Sequence, residues 1–286
     1  MLSGVTLGLI AALCWGVSDF LARFSSRSVG SYRALYLSQF GGSAVLLLAW
    51  PLLPPQLHGA GWGAWGWALL CSVILTGAAL AFFQAFKVGV LALIAPIMGS
   101  YGAVTAALAW LAGETIRRPV ALGLLAALLG IVLISLPPRT ERAAGAARLA
   151  PGVAWALGSA LVFGLSFFLL GRYVTPTLGG VTPTWLLRVV GLTMLSLAAR
   201  PAGQTLRWPA GRVWVMPVGV GALSTLAVLA TNLGLGRGQD AAVTVLGSLS
   251  VVITTLLALL ILRERLFSWQ WLGAALACGG VVLVGL

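Results

Sequence analysis

Ten apolar stretches, each close to the length a helix needs to cross a bilayer, follow one another along this chain. A hydrocarbon core of about 30 Å takes roughly 20 residues of helix. Cut at charges and at Pro/Gly clusters, the runs fall at approximately 4–23, 33–53, 62–86, 90–112, 119–136, 151–171, 181–199, 212–235, 241–262 and 269–286. Composition agrees: 60% of the residues are hydrophobic, 8% are charged, and the mean hydropathy is +1.06. An ordinary soluble domain carries about 25% charged residues. So few charges cannot cover a water-soluble surface, which excludes a soluble enzyme or a nucleic-acid-binding domain. The chain reads as an all-α, multi-pass membrane protein. Its first run lacks a basic leader and a small-residue cleavage site, so it is expected to be a retained span.

The net charge of +12 does not mark a nucleic-acid partner. Lys87 and most of the sixteen arginines sit singly or in pairs between the apolar runs, as they do in cytoplasmic connections. Arg23, Arg27, Arg33, Lys87, Arg139, Arg142, Arg148, Arg200, Arg207, Arg212, Arg263 and Arg265 fall in odd-numbered connections. The even connections hold only Arg117, Arg118, Arg172 and Arg237. This count places the odd connections in the cytoplasm and both termini outside. Cys14, Cys71 and Cys278 lie inside apolar runs without metal-ligand spacing, and the single histidine, His58, lies in a connection. No metal, no other cofactor and no catalytic residue set is expected.

The two halves of the chain align with each other. Residues 87–136 slide by 150 positions onto 237–286 without a gap. Lys87 then meets Arg237, Ser100 meets Ser250, Thr105 meets Thr255, Glu114 meets Glu264 and Gly130 meets Gly280. Near the start of the chain a shift of 148 lays Gly16 on Gly164, Ser18 on Ser166 and Phe20 on Phe168. The expected organisation is a first five-helix repeat over 1–136, a polar linker over 137–149 and a second repeat over 150–286. Five is an odd number, so consecutive repeats enter the membrane from opposite sides. Ten transmembrane helices as two inverted repeats suit a carrier that opens alternately to either side of a central site.

The aligned residues also resemble a known family. Ala95-Pro96 through Ser100-Tyr101, then Ala109-Trp110-Leu111-Ala112-Gly113-Glu114, are similar to the EamA branch of the drug/metabolite transporter superfamily. The Glu step before a Gly-containing helix appears twice, as Gly113-Glu114 and as Arg263-Glu264-Arg265-Leu266. Leu13-Cys14-Trp15-Gly16 resembles the Trp-Gly step of the family's first helix. A Pro common near Tyr101-Gly102 is absent, and Arg263 stands where the first copy has Gly113. The resemblance implies a solute carrier with its termini in the cytoplasm, opposite to the charge count. It also implies that Trp15, Tyr36, Gln84 and Tyr101 lie on helices lining a central cavity.

Ionisable groups inside spans are costly, so each calls for a partner or a task. Asp19 lies one turn beyond Trp15 and beside Ser18, and two readings stand open. It pairs locally with Arg23 at i+4, or it faces the cavity to bind a proton or a cationic group. Arg188 lies more than a turn inside the seventh run. It snorkels to the surface, or it holds a carboxylate or phosphate. Glu114 and Glu264 read as ion pairs at the ends of the repeats, and Asp240 as a helix cap. The expected solute-binding set is Trp15, Ser18, Asp19, Tyr36, Gln84, Tyr101 and Arg188. A zwitterion such as an amino acid would meet both charges, and an aromatic or quaternary cation is the alternative. Export across the inner or plasma membrane is the expected direction. The expected partners are the solute and membrane lipid, with a homodimer through the fifth and tenth helices as an option. Pro96 is expected to bend the fourth helix, with Leu246 leaving its counterpart straighter.

Overall fold

The computed structural model describes residues 3–55, 61–113, 118–136, 150–234, 246–247 and 249–284. His58, Glu114, Glu141, Arg237, Gln239 and Asp240 lie outside the described residues, and so do the expectations that fall on them. Among the described residues every regular element is a helix. The first repeat holds α1 (Gly4–Val29), α2 (Ser31–Ala49), α3 (Trp62–Val88), α4 (Leu91–Gly99), α5 (Tyr101–Leu111) and α6 (Arg118–Ser135). The second holds α7 (Val153–Tyr173), α8 (Thr175–Leu178), α9 (Val181–Ala199), α10 (Val215–Gly234), α11 (Ser250–Leu260) and α12 (Ser268–Val284).

Six stretches are long and apolar enough to cross a membrane: Gly4–Val29, Trp62–Val88, Leu91–Leu111, Val153–Tyr173, Val181–Ala199 and Val215–Leu233. Shorter apolar helices span Ala121–Leu133, Ser250–Leu260 and Ser268–Leu283. Lipid offers no partner to a bare N–H or C=O, so a spanning chain satisfies its backbone within each helix. The helices end where the sequence supplies another partner or a break. At the start of α1 the Ser3 hydroxyl accepts from the Thr6 N–H at 3.2 Å, an N-cap.

Contacts between connections fix the topology. Arg27 donates to the Lys87 and Gly89 carbonyls, Arg33 to the Arg207 carbonyl, and Arg23 to Glu264. Gly152 lies against Ala85 and Gly89. These contacts gather the described odd connections at one end, called the Arg-rich end below. At the other end Trp50 meets Trp185, Trp67 stacks on Tyr173, and Gly180 lies against Asn232. Helix α1 therefore runs toward the Arg-rich end, and its counterpart α7 runs away from it.

Close helix contacts repeat under this inversion. A methyl group on Gly130 would overlap the backbone at Gly273 and Ala277, and one on Gly280 would overlap Gly123 and Ala127. The two contacts are the same contact carried 150 positions along the chain. Helices α6 and α12, the fifth and tenth apolar runs, thus pack on each other. A similar contact recurs one position off that register: Thr254 donates to the Gly16 carbonyl at 3.2 Å, and Thr105 donates to the Gly164 carbonyl at 2.9 Å.

The fourth apolar run is two helices. It breaks at Ser100, whose N–H turns back to the Ile97 carbonyl at 3.2 Å and whose hydroxyl donates to the same oxygen at 2.6 Å. The second copy makes a like turn one position earlier in the 150-residue register, from the Leu249 N–H to the Leu246 carbonyl at 3.1 Å. Leu246 stands where the first copy has Pro96, so this shared break has a cause other than proline. Gly99 packs so tightly against Val251 that a methyl group there would overlap it. The break lies where the two repeats cross.

Candidate functional site

Arg188 lies at the centre of the molecule, on the line about which the repeats exchange. Its Nη1 donates to Gln39 Oε1 at 3.1 Å, and Nη2 donates to Ser224 Oγ at 3.1 Å and Thr225 Oγ1 at 2.8 Å. Both hydroxyls donate in turn to the Gly221 carbonyl, at 3.0 and 2.9 Å, so their lone pairs face the guanidinium. The register in this part of the chain is 149, which lays Gln39 on Arg188, Gly42 on Gly191 and Thr76 on Thr225. Gly42 gives the room beside Arg188 and Thr225, and Gly191 gives the matching room beside Gln39 and Thr76. The hydrogen bond from Arg188 to Gln39 thus joins two equivalent positions across the pseudo-two-fold axis.

All three acceptors of Arg188 are neutral. The side chain is buried, at 8% exposure, and no carboxylate lies within ion-pair distance among the described residues. Its Nε–H has no acceptor there. A buried charge without a counter-charge costs several kcal/mol, even when hydrogen-bonded to neutral groups. The guanidinium does not snorkel. Among the described residues it is a buried cation without a carboxylate partner.

Asp19, on α1, keeps part of its surface open while Ser18 and Phe20 on either side of it are buried. It has no hydrogen bond or ion pair among the described residues. The local partner considered from the sequence is engaged elsewhere, because Arg23 pairs with Glu264. Tyr101, at the start of α5, is within electrostatic reach of Asp19. The Tyr101 ring lies 5.2 Å from Phe167 and 6.3 Å from Phe163, both on α7. Trp15 is half-buried one turn before Asp19, against Gly247. An acid beside an aromatic wall built from both repeats can take a cationic group or a proton.

Two of the other expected residues, Ser18 and Gln84, serve helix joints. Ser18 Oγ donates to the Val220 carbonyl at 3.0 Å, which commits its proton to the α1–α10 crossing. Gln84 Oε1 lies 2.8 Å from Ser31 Oγ, joining α3 to the first turn of α2. Tyr36 packs edge-on to Phe40 at 5.3 Å. Neither Tyr36 nor Gln84 hydrogen-bonds Asp19, Tyr101 or Arg188. Gln39, Ser224, Thr225, Phe163 and Phe167 were absent from the expected set. The sequence does carry a signal for two of them: Gly221, Ser224 and Thr225 share one face of α10 at i, i+3 and i+4. Two grooves of about 600 and 490 Å³ lie away from both clusters, along α3 against α9 and along α3 against α7. Their linings include Leu69, Val189 and Leu197 in one and Ile74 and Trp155 in the other, surfaces suited to lipid chains.

The model of the EamA-like transporter family matches residues 2–136 and matches again over residues 150–286. The chain belongs to the EamA-like transporter family. It is a multi-pass membrane protein of a family that transports small solutes. Search of the curated proteins yields no match. A solved structure titled "Crystal structure of protein" is 19% identical and superposes with a TM-score of 0.63, over 98% of this chain and 95% of that one. At that identity the likeness speaks for the fold alone.

Proposed function

We propose that this EamA-family chain is a ten-span secondary transporter that moves a small zwitterionic metabolite, an amino acid or similar, by alternating access. The reading rests on one observation above the rest: a buried guanidinium on the pseudo-two-fold axis that meets no carboxylate among the described residues. A group on that axis is the one place equally related to both sides of the membrane, which is where carriers built from inverted repeats hold their solute. Arg188 takes the carboxylate, and Asp19 takes the ammonium group or a proton. Export across the inner or plasma membrane is the proposed direction.

The Tyr101 ring, within electrostatic reach of Asp19 and packed on Phe163 and Phe167, favours a second reading, an aromatic or quaternary cation held without Arg188. Flux of a metabolite panel in proteoliposomes separates the two. For a zwitterion, Arg188→Gln and Asp19→Asn each cut flux at least about 100-fold, as loss of a buried charge contact does. The protein stays monodisperse in both variants. For a cation only Asp19→Asn does so. Unchanged flux in both variants refutes both readings.

A further inference from the structure

Glu264, in the connection between α11 and α12, reaches into the first repeat and closes three contacts with one carboxylate. Oε1 accepts from the Leu91 N–H at 3.1 Å and from the Arg23 guanidinium, and Oε2 accepts from the Ala92 N–H at 2.8 Å. Leu91 and Ala92 begin α4, whose preceding residue Val90 offers no side-chain cap. The cap comes instead from the other repeat, where a carboxylate also suits the positive end of the helix dipole. Arg263 adopts a left-handed backbone, φ 51°, in the turn that directs Glu264 inward. A non-glycine residue takes that conformation only where its surroundings hold it there.

This clamp occupies a specific level. Arg23 is one turn beyond Asp19 on α1, so the clamp lies between the candidate solute site and the Arg-rich end. The Arg23 and Glu264 side chains are 10% and 9% exposed. Around them Phe20, Ala22, Ser25 and Ser26 are buried, and so is every residue of α4.

We propose that Arg23 and Glu264 are positioning residues of the transport cycle, whose clamp shuts the solute path at the Arg-rich end and separates when that end opens. The inference rests on the alternating-access reading. Its physical basis is that a buried ion pair adds little net stability when intact but is costly when one partner is missing. Such a pair favours two states, both groups joined and dry or both groups hydrated, over anything between. Because one carboxylate serves α1, α4 and the α11–α12 connection, all three release together.

The test measures distance and needs no solute. The full chain is made cysteine-free by Cys14→Ala, Cys71→Ala and Cys278→Ala and spin-labelled through Ser28→Cys and Ser268→Cys, two exposed positions at the Arg-rich end. Electron–electron resonance in lipid nanodiscs should give one narrow distance. Glu264→Gln should add a population longer by about 5 Å or more, the scale of a packed helix shift. Arg23→Gln should add less of it, because both α4 amides keep their carboxylate. The reversed pair Arg23→Glu with Glu264→Arg should stay open, since an arginine accepts nothing from the Leu91 and Ala92 amides. One narrow distance throughout overturns the clamp, and recovery in the reversed pair reduces it to a plain ion pair and overturns the part given to α4. If Glu264→Gln does not purify as monodisperse protein, Arg23→Gln decides alone. Opening of these variants alongside a flux panel without a transported solute would keep the clamp and discard the solute reading.

Discussion

The two ends of the molecule are packed to different degrees. At the Arg-rich end one cluster of buried side chains runs through Phe20, Tyr32, Phe83, Phe86, Leu91, Ile94, Val153 and Leu195, drawing on both repeats. Charged and hydroxyl groups lock it further, through Arg27 on the end of α3, Glu264 on the start of α4, and the Tyr32 hydroxyl on the Leu195 carbonyl. Toward the other end, among the described residues, the buried apolar groups form two separate small clusters. One holds Leu7, Ala11, Ala227 and Ala230, and the other holds Ala68, Val174 and Leu178. The sequence halves are alike, so the difference lies in how one arrangement of near-equivalent repeats distributes its contacts. Under the proposed alternating-access reading, the more tightly packed Arg-rich end is the closed one.

The largest effect is expected at the crossing that joins the halves. A side chain at Gly221 would run into the Ser38 backbone of α2, so Gly221→Leu should abolish monodisperse protein, a loss above about 3 kcal/mol. By contrast Gly219→Ala, on the same helix but facing open space, should shift the thermal midpoint by no more than a few degrees.

Truncations of equal chemistry at the two ends then test the comparison directly. Leu91→Ala, in the large cluster, should cost about 4–5 kcal/mol, and Leu7→Ala, in a small one, about 2–3 kcal/mol. Equal losses in matched detergent melts would show that the two ends are sealed alike. Next in size is Arg27→Ala, which strips the Lys87 and Gly89 carbonyls of a donor and should cost about 1–2 kcal/mol. Smallest is Arg212→Gln, an exposed charge at the same end, expected within about 0.5 kcal/mol by the same melts.

Most of the helical framework was legible in the sequence. Runs such as 62–86 and 181–199 recur as α3 and α9 within a residue or two. The polar ends were less legible. The first run was cut at Arg23, yet α1 continues to Val29 because Arg23, Ser25 and Ser26 are buried against other helices. The 90–112 run hid the break at Ser100, which follows from a close crossing at Val251 and leaves no trace in hydropathy. Of the candidate site, the sequence pointed to Asp19, Tyr101 and Arg188 as groups in need of an explanation. It gave no reason to group Arg188 with Gln39, Ser224 and Thr225, nor Tyr101 with Phe163 and Phe167.

What the sequence by itself determined is what short-range physics controls. A helix in lipid closes its own hydrogen bonds within four residues, so apolar length and the 150-residue self-alignment are enough to write down most of the helices and the repeat of the chain. Charge partners obey no such local rule. Arg23 had Asp19 four residues away and met Glu264 instead, 241 residues along the chain, because the crossing of α1 with α11 set their distance. Whether Arg188 met an acid or three neutral groups was likewise decided by what α2 and α10 presented at the pseudo-two-fold axis. Only the packed helices fix that, since electrostatic energy depends on separation and burial in space and not on spacing along the chain.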